Sequence, residues 1–228
     1  MARSENEVAV IRLEKVTKTY RTQAGLHTVF RDLDLEIPTG AGLAVLGRNG
    51  AGKTTLINII GGAETVDRGR LITDGRISWP VGLAGGFQPS LTARDNVKFV
   101  ARLYADKDEI PEIVQRVRDF AEIGEYFDMP TRTYSSGMRS RVSFGLSMAF
   151  DFDYYLIDEV TAVGDPQFRK KCDCALMEKK EKGAGFIVVS HAMDIVRRFC
   201  SQAIVLGPQG LRHYDDIEEA IKVYQNNG

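Results

Sequence analysis

Two hydrophobic periods alternate along the chain. Near its start, apolar and polar residues take turns in Val8-Ala9-Val10-Ile11-Arg12-Leu13 and again in Leu33-Asp34-Leu35-Glu36-Ile37. A period of two puts every second side chain on one face, so both stretches are expected as half-buried antiparallel strands. Pro38-Thr39-Gly40 then turns the chain into an unbroken apolar run, Leu43-Ala44-Val45-Leu46. Such a run suits a strand buried on both faces. A helical run follows over 55–60, and Gly61-Gly62 stops it. A short strand pair is expected around 69–78, and the glycine-rich stretch 81–89 reads as a loop.

From Thr92 the period lengthens to that of a helix. Thr92-Ala93-Arg94-Asp95 resembles a capping box with aspartate at its fourth position. Val97, Val100, Ala101 and Tyr104 recur at helical spacing, as do Ile113, Val114, Val117 and Phe120. An all-helical insert over 92–150 is therefore expected between two stretches of a catalytic core, 1–91 and 151–228. Within the second stretch, strands are expected over 154–157, 186–189 and 203–206, with helices over 166–182 and 192–199. Buried apolar strands alternating with amphipathic helices imply an α/β fold with a parallel sheet covered on both faces.

Candidate chemistry sits at the ends of the buried strands. Gly47-Arg48-Asn49-Gly50-Ala51-Gly52-Lys53-Thr54 fits G-x-x-x-x-G-K-[ST] at every fixed position. It lies between a strand and a helix, which is the context a phosphate-binding P-loop requires. Glycines let backbone N–H groups turn toward phosphates, and the helix N-terminus adds partial positive charge. Lys53 would reach the β- and γ-phosphates and the Thr54 hydroxyl would ligate Mg²⁺. The strand Tyr154-Tyr155-Leu156-Ile157 runs into Asp158 and Glu159. There Asp158 can hold the Mg²⁺ shell, and Glu159 can orient or deprotonate an attacking water.

Composition narrows the partners. Lys+Arg 30 against Asp+Glu 31 gives a net charge of −1, so charge offers no reason to expect nucleic acid. No apolar run approaches the roughly 18 residues of a membrane helix. The first residues show no apolar export segment. Cys172, Cys174 and Cys200 form no C-x-x-C pair, and they read as reduced thiols of a cytosolic protein.

Tyr134-Ser135-Ser136-Gly137-Met138 precedes a helix and, with the P-loop, carries a resemblance. The chain resembles the nucleotide-binding subunits of ABC transporters, whose signature L-S-G-G-Q lies between the two acidic and glycine-rich motifs. Ser135 and Gly137 match its γ-phosphate contacts, while Ser136 and Met138 depart from it. The resemblance implies a RecA-like P-loop NTPase core with a small antiparallel β subdomain and an inserted helical subdomain. It places an adenine-stacking ring at Tyr20 and further ATP contacts at Gly47, Asn49, Gly50, Gly52 and Thr55. Gln88 corresponds to the glutamine that touches Mg²⁺ and senses the membrane partner, Asp165 to the D-loop aspartate, and His191 to the switch histidine at the γ-phosphate. The likeness spans about 8–206.

Segments 77–80, 134–141, 148–159 and 162–165, together with the tail 214–221, are similar to the capsular polysaccharide export ATPases. That likeness implies a head-to-tail homodimer holding two ATPs with Mg²⁺, and two copies of a transmembrane permease docked near 81–97. The chain is expected at the cytoplasmic face of the inner membrane, as a peripheral subunit. With 228 residues, it is expected to lack the carbohydrate-binding domain that O-antigen exporters often append. Three other readings stay open: export of O-antigen, teichoic acid or another glycan; a soluble ABC ATPase of translation or DNA repair; and a small-molecule kinase.

Overall fold

The computed structural model describes residues 10–23, 25–82, 86–158, 165–207 and 210–226. They fall into two units, one holding those within 10–80, 152–158 and 180–226, the other those within 81–151 and 165–179.

The first unit contains two sheets. Strands β1 (Val10–Thr22), β2 (Gly25–Pro38) and β4 (Arg68–Thr73) form an antiparallel sheet in the order β2-β1-β4. β1 and β2 are much longer than their alternation suggests, because their pairing continues out to Thr22 opposite Gly25. The register shifts between Leu13 and Val16, between Val16 and Lys18, and between Lys18 and Thr19. Each such irregularity swaps the faces that successive residues present, so the period of two fades although the ladder goes on. Lys15 takes a φ of 47° in this stretch, and its N–H donates to Asp34 Oδ1 at 2.8 Å.

The second sheet has six strands: β3 (Gly42–Gly47), β5 (Ile77–Pro80), β6 (Tyr154–Ile157), β7 (Gly185–Val188), β8 (Gln202–Gly207) and β9 (Gly210–Tyr214). Their order is β5-β6-β7-β3-β8-β9, parallel throughout except for β8 with β9. The strand pair expected around 69–78 is therefore divided between two sheets. Arg68–Thr73 pairs with β1, whereas Ile77–Pro80 joins the parallel sheet beside β6. Two aspartates fix the changeover: Asp74 accepts from the Val10 N–H at 2.9 Å, and Asp153 from the Arg76 N–H at 2.6 Å.

Helices α1 (Lys53–Ile60), α6 (Met193–Phe199) and α7 (Ile217–Asn226) pack on this sheet, and α5 (Pro166–Glu181) leads back into it. Leu56, Ile57, Ile59 and Ile60 of α1 share one core with Leu43, Val45, Leu156 and Ile204 of the parallel sheet, and with Ile11, Leu13 and Ile37 of the antiparallel one. Burial of that kind stabilises by about 1.5–3 kcal/mol per large aliphatic side chain. Tyr154 is wholly buried, and its hydroxyl donates to the Ile37 carbonyl at 2.9 Å, which ties the two sheets by a directional bond. β9 and α7 were not expected from the hydrophobic pattern. β9 is an edge strand with little burial, and α7 buries only Ala220 and Ile221.

The second unit is helical, built from α2 (Ala93–Tyr104), α3 (Ile110–Ala121), α4 (Ser136–Met148) and most of α5, with short 3₁₀ turns over Gly124–Asp128 and Thr131–Thr133. Thr92 Oγ1 caps α2 by accepting from the Asp95 N–H at 3.0 Å. The reciprocal half of the box is altered, since Asp95 Oδ2 accepts from the Thr92 hydroxyl at 2.8 Å. Phe120, Phe144 and Phe168 meet at its centre, the first two stacked at 5.7 Å between centroids and Phe168 edge-on to both. Burial pushes the thiols of Cys172 and Cys200 up to about 12, so both pack as small apolar groups.

Tyr154→Phe should cost about 1–3 kcal/mol, because it leaves a buried carbonyl without that donor while keeping the ring. Urea unfolding of the full chain checks this, and an unchanged midpoint would contradict the role given to the Tyr154 hydroxyl.

Candidate nucleotide site

β3, β7 and β6 run parallel as neighbours, so their carboxyl ends share one edge of the sheet. Open parallel sheets bind ligands at that edge. β3 runs into the glycine-rich loop, β6 into Asp158, and β7 ends three residues before His191. Motifs more than a hundred residues apart in sequence are thus collected by two strand pairings.

The loop itself has the shape of a cradle. Gly50 and Gly52 take φ values of 82° and 99°, the left-handed region that side chains disfavour. A Cβ on Gly52 would lie 2.4 Å from Val29 Cγ1 and 3.0 Å from Phe30 Cζ. Gly52 also caps α1 with no side-chain hydrogen bond, and no acidic residue occupies the first turn. The N-terminal N–H groups of α1 are therefore placed for an external anion. Lys53 is buried, and its Nζ donates to the Gly47 carbonyl at 2.8 Å and to the Arg48 carbonyl at 3.3 Å.

A cleft of about 410 Å³ opens over this loop. Tyr20, Asn49, Gly50, Gly52, Lys53, Thr54, Thr55 and Asp158 all line it, as do His27, Val29 and Val189. Lys53 and the helix terminus supply positive potential for phosphates. Thr54 and Asp158 could supply the oxygen ligands that a hard cation prefers. Among the described residues no cluster of three or more His, Cys, Asp or Glu could hold a metal ion alone. The hydroxyl of Thr54 and the carboxylate of Asp158 fit Mg²⁺, which keeps waters and substrate phosphates in its shell. Gly47 lines a second cleft, of about 450 Å³, together with Arg48, Leu206, Arg212, Tyr214 and Tyr224.

Tyr20 enters the cleft from β1, directly across the ladder from His27 of β2. The Lys18 ammonium lies 5.1 Å from the centroid of the Tyr20 ring. Lys18 is itself buried, donating to Glu64 Oε1 at 2.5 Å and to the Thr65 carbonyl at 2.7 Å. The Glu64 hydrogen bond holds this ammonium above its ordinary range. A fixed cation against the tyrosine ring limits its motion through cation–π attraction.

Gln88, Ser135, Gly137 and Asp165 belong to the helical unit. The Gln88 side chain is on an exposed loop whose backbone is held by the buried Asn96. Asn96 Oδ1 accepts from the Gln88 N–H at 2.7 Å, and its Nδ2 donates to the carbonyls of Gln88 at 3.2 Å and Thr92 at 2.9 Å. Ser135 caps α4, accepting from the Met138 N–H at 3.2 Å, and Gly137 lies in the first turn. Asp165 accepts from the Phe168 N–H at 3.0 Å at the start of α5, and from Arg141 Nη2 at 2.6 Å. These bonds, the Phe168 N–H foremost, hold its carboxyl below the usual range. Glu159 lies outside the described residues.

Sequence reasoning missed His27, Lys18 and Asn96. An asparagine buried on an otherwise apolar helix face was a readable signal. His27 carried none, because only the β1–β2 register brings it to Tyr20.

The fold and this site define a P-loop nucleotide-binding protein. The family described as ABC transporter matches residues 30–162, and the chain belongs to that family of ATPases. It is 54% identical over 217 residues to the polysialic acid transport ATP-binding protein KpsT of Escherichia coli, covering 95% of this chain and 96% of that protein. It is 42% identical over 216 residues to the ATP-binding protein BexA of Haemophilus influenzae, covering 94% and 98%. It is 40% identical over 218 residues to the capsule polysaccharide export ATP-binding protein CtrD of Neisseria meningitidis serogroup B, covering 95% and 99%. Among solved structures, the dimeric post-hydrolysis state of the ATP-binding cassette MJ0796 bound to ADP and Pi matches with a TM-score of 0.71 at 25% identity, over 86% of this chain and 94% of that one. ABC cassettes bind ATP, typically with Mg²⁺, dimerise and pair with transmembrane subunits. No helix among the described residues is long and apolar enough to cross a membrane.

The lowered carboxyl of Asp165 yields a pH prediction. Its stabilising effect is complete above the ordinary carboxylate value and is lost as pH falls through the lowered one. Asp165→Asn should therefore be less stable than wild type near neutrality, with the gap closing below about pH 4. Urea unfolding at both ends of that range checks it; a gap that widens on acidification would contradict it.

Proposed function

We propose that this chain is the ATP-hydrolysing subunit of an exporter of capsular, lipid-linked polysaccharide, with its cargo chosen by other subunits. The observation that carries the reading is the near full-length likeness to KpsT, at 54% identity over 95% of the chain. The cleft over the β3 loop supports it by offering what ATP chemistry needs. Tyr20 would stack on adenine, and Asn49, Gly50, Gly52 and Thr55 would surround the phosphates with backbone and hydroxyl donors. Gly47 opens the loop for that approach. Lys53 would leave its carbonyl partners for the β- and γ-phosphate oxygens.

Thr54 and Asp158, with Gln88, would hold Mg²⁺, which when bound neutralises charge on the phosphates. Glu159 is the general base assigned from sequence, orienting or deprotonating water in line with the γ-phosphate. His191 would donate to a γ-phosphate oxygen. Ser135 and Gly137 of one subunit would close on ATP held by its partner, with Asp165 at the same interface. ATP-driven closure then favours one state of the transporter over another, and hydrolysis resets it. Two permease copies would dock near 81–97 and hold the pair at the cytoplasmic face of the inner membrane.

Glu159→Gln tests this in cells that make the native glycan. The variant should still bind ATP but lose turnover by about a hundredfold or more. Fractionated cells should show polymer accumulating inside and missing from the surface. Normal surface glycan without internal accumulation would sink the export reading, and the identity of the trapped polymer separates capsule from O-antigen or teichoic acid.

A further inference from the structure

His191 is engaged on one ring nitrogen by a residue far along the chain. Its Nδ1 lies 2.7 Å from the hydroxyl of Tyr224, with the two rings tilted by 31° and their centroids 6.2 Å apart. That distance is typical of a good hydrogen bond from a hydroxyl. Tyr224 projects from α7, and α7 is fixed at several points. Asp216 Oδ1 caps it by accepting from the N–H groups of Glu218 at 2.7 Å and Glu219 at 3.1 Å. Its Ala220 and Ile221 are buried, and it packs on β3 and β8. Glu218 accepts two bonds from Arg197 of α6, at 2.6 and 3.1 Å. α6 begins two residues after His191. The helix carrying Tyr224 is therefore braced against the strand that feeds the phosphate loop and against the helix that follows the histidine.

A neutral imidazole carries one N–H donor and one acceptor, and a partner on one nitrogen decides which is which. If the hydroxyl donates to Nδ1, the ring proton sits on Nε2. That nitrogen then presents an N–H to an anionic phosphate oxygen. The opposite tautomer would present a lone pair, which such an oxygen repels. An imidazole on the surface also samples several rotamers, and a bond from a braced helix restricts them before ATP arrives.

We propose that Tyr224 is a positioning residue for His191, its hydroxyl donating to Nδ1 so that Nε2 is the donor offered to phosphate. This rests on His191 acting at the γ-phosphate, as proposed above. Tyr224 itself touches no substrate atom in this account. The C-terminal helix thereby becomes part of the machinery for hydrolysis.

Tyr224→Phe keeps the ring and removes only the hydroxyl. The chain has 3 histidines, His27, His191 and His213, so ¹⁵N-histidine spectra of the full chain are simple, and His191→Ala assigns the signals. At about pH 8, above the ordinary imidazole range, wild-type His191 should show an unprotonated, hydrogen-bonded Nδ1 before any nucleotide is added. Tyr224→Phe should move that signal toward a mixture of tautomers. It should lower kcat by about fivefold and change KM for ATP by less than about twofold. Wild-type ¹⁵N signals and kcat in Tyr224→Phe, alongside an inactive His191→Ala, would overturn the proposal, as would a protonated Nδ1 in the wild type. Wild-type turnover in His191→Ala would instead overturn the placement of His191 in the reaction.

Discussion

Parallel pairing of β3 with β7 and of β7 with β6 is the constraint from which the site follows. Those ladders bring the carboxyl ends of three strands to one edge. The glycine-rich loop and Asp158 line one cleft at that edge, and the His191 segment follows the strand between them. Parallel neighbours require crossover connections, and the chain uses its crossovers for chemistry and for the helical unit. The antiparallel sheet contributes from the side: Val29 and Phe30 of β2 fill the space that a Cβ on Gly52 would need. The same core that stabilises the first unit therefore also dictates a glycine at the start of α1.

Charge is placed locally, in keeping with a chain whose net charge is −1. Lys53 and Lys18 are both buried, and each meets its donors' needs differently. Lys53 rests on two backbone carbonyls, partners that a phosphate can replace without leaving a charged group unpaired. Lys18 is held by the Glu64 carboxylate and the Thr65 carbonyl, partners that fix it in place beside the Tyr20 ring. One cation thus rests on neutral carbonyls and the other on a carboxylate. In the helical unit the recurring device is the capped helix start, at Thr92, Ser135 and Asp165. Two of these caps, Ser135 and Asp165, lie on residues proposed above to face a partner's ATP.

Much of this was legible in the sequence. The loop from Gly47 to Thr54, the strand before Asp158 and the helical insert are local patterns, and local patterns survive without coordinates. Strands β6, β7 and β8 lie within a residue of their expected ends. What stayed hidden depends on register or on long-range packing. Irregular pairing concealed most of β1 and β2, and only their ladder brings His27 opposite Tyr20. The stretch near 69–78 read as one pair because nothing local says that Asp74 and Arg76 send its halves to different sheets. Tyr224 reaches His191 across 33 residues, through a helix whose apolar stripe is too short to announce itself.

The central claim is that the β3 loop holds ATP through Lys53, which exchanges its carbonyl partners for phosphate oxygens. The most direct measurement is an equilibrium titration of the full-length chain and of Lys53→Ala with ATP and Mg²⁺, with circular dichroism as a check on folding. Affinity should fall by at least about tenfold in the folded variant, since a charge-assisted hydrogen bond contributes roughly 1.5–3 kcal/mol. Equal affinity for ATP in both proteins would contradict the account.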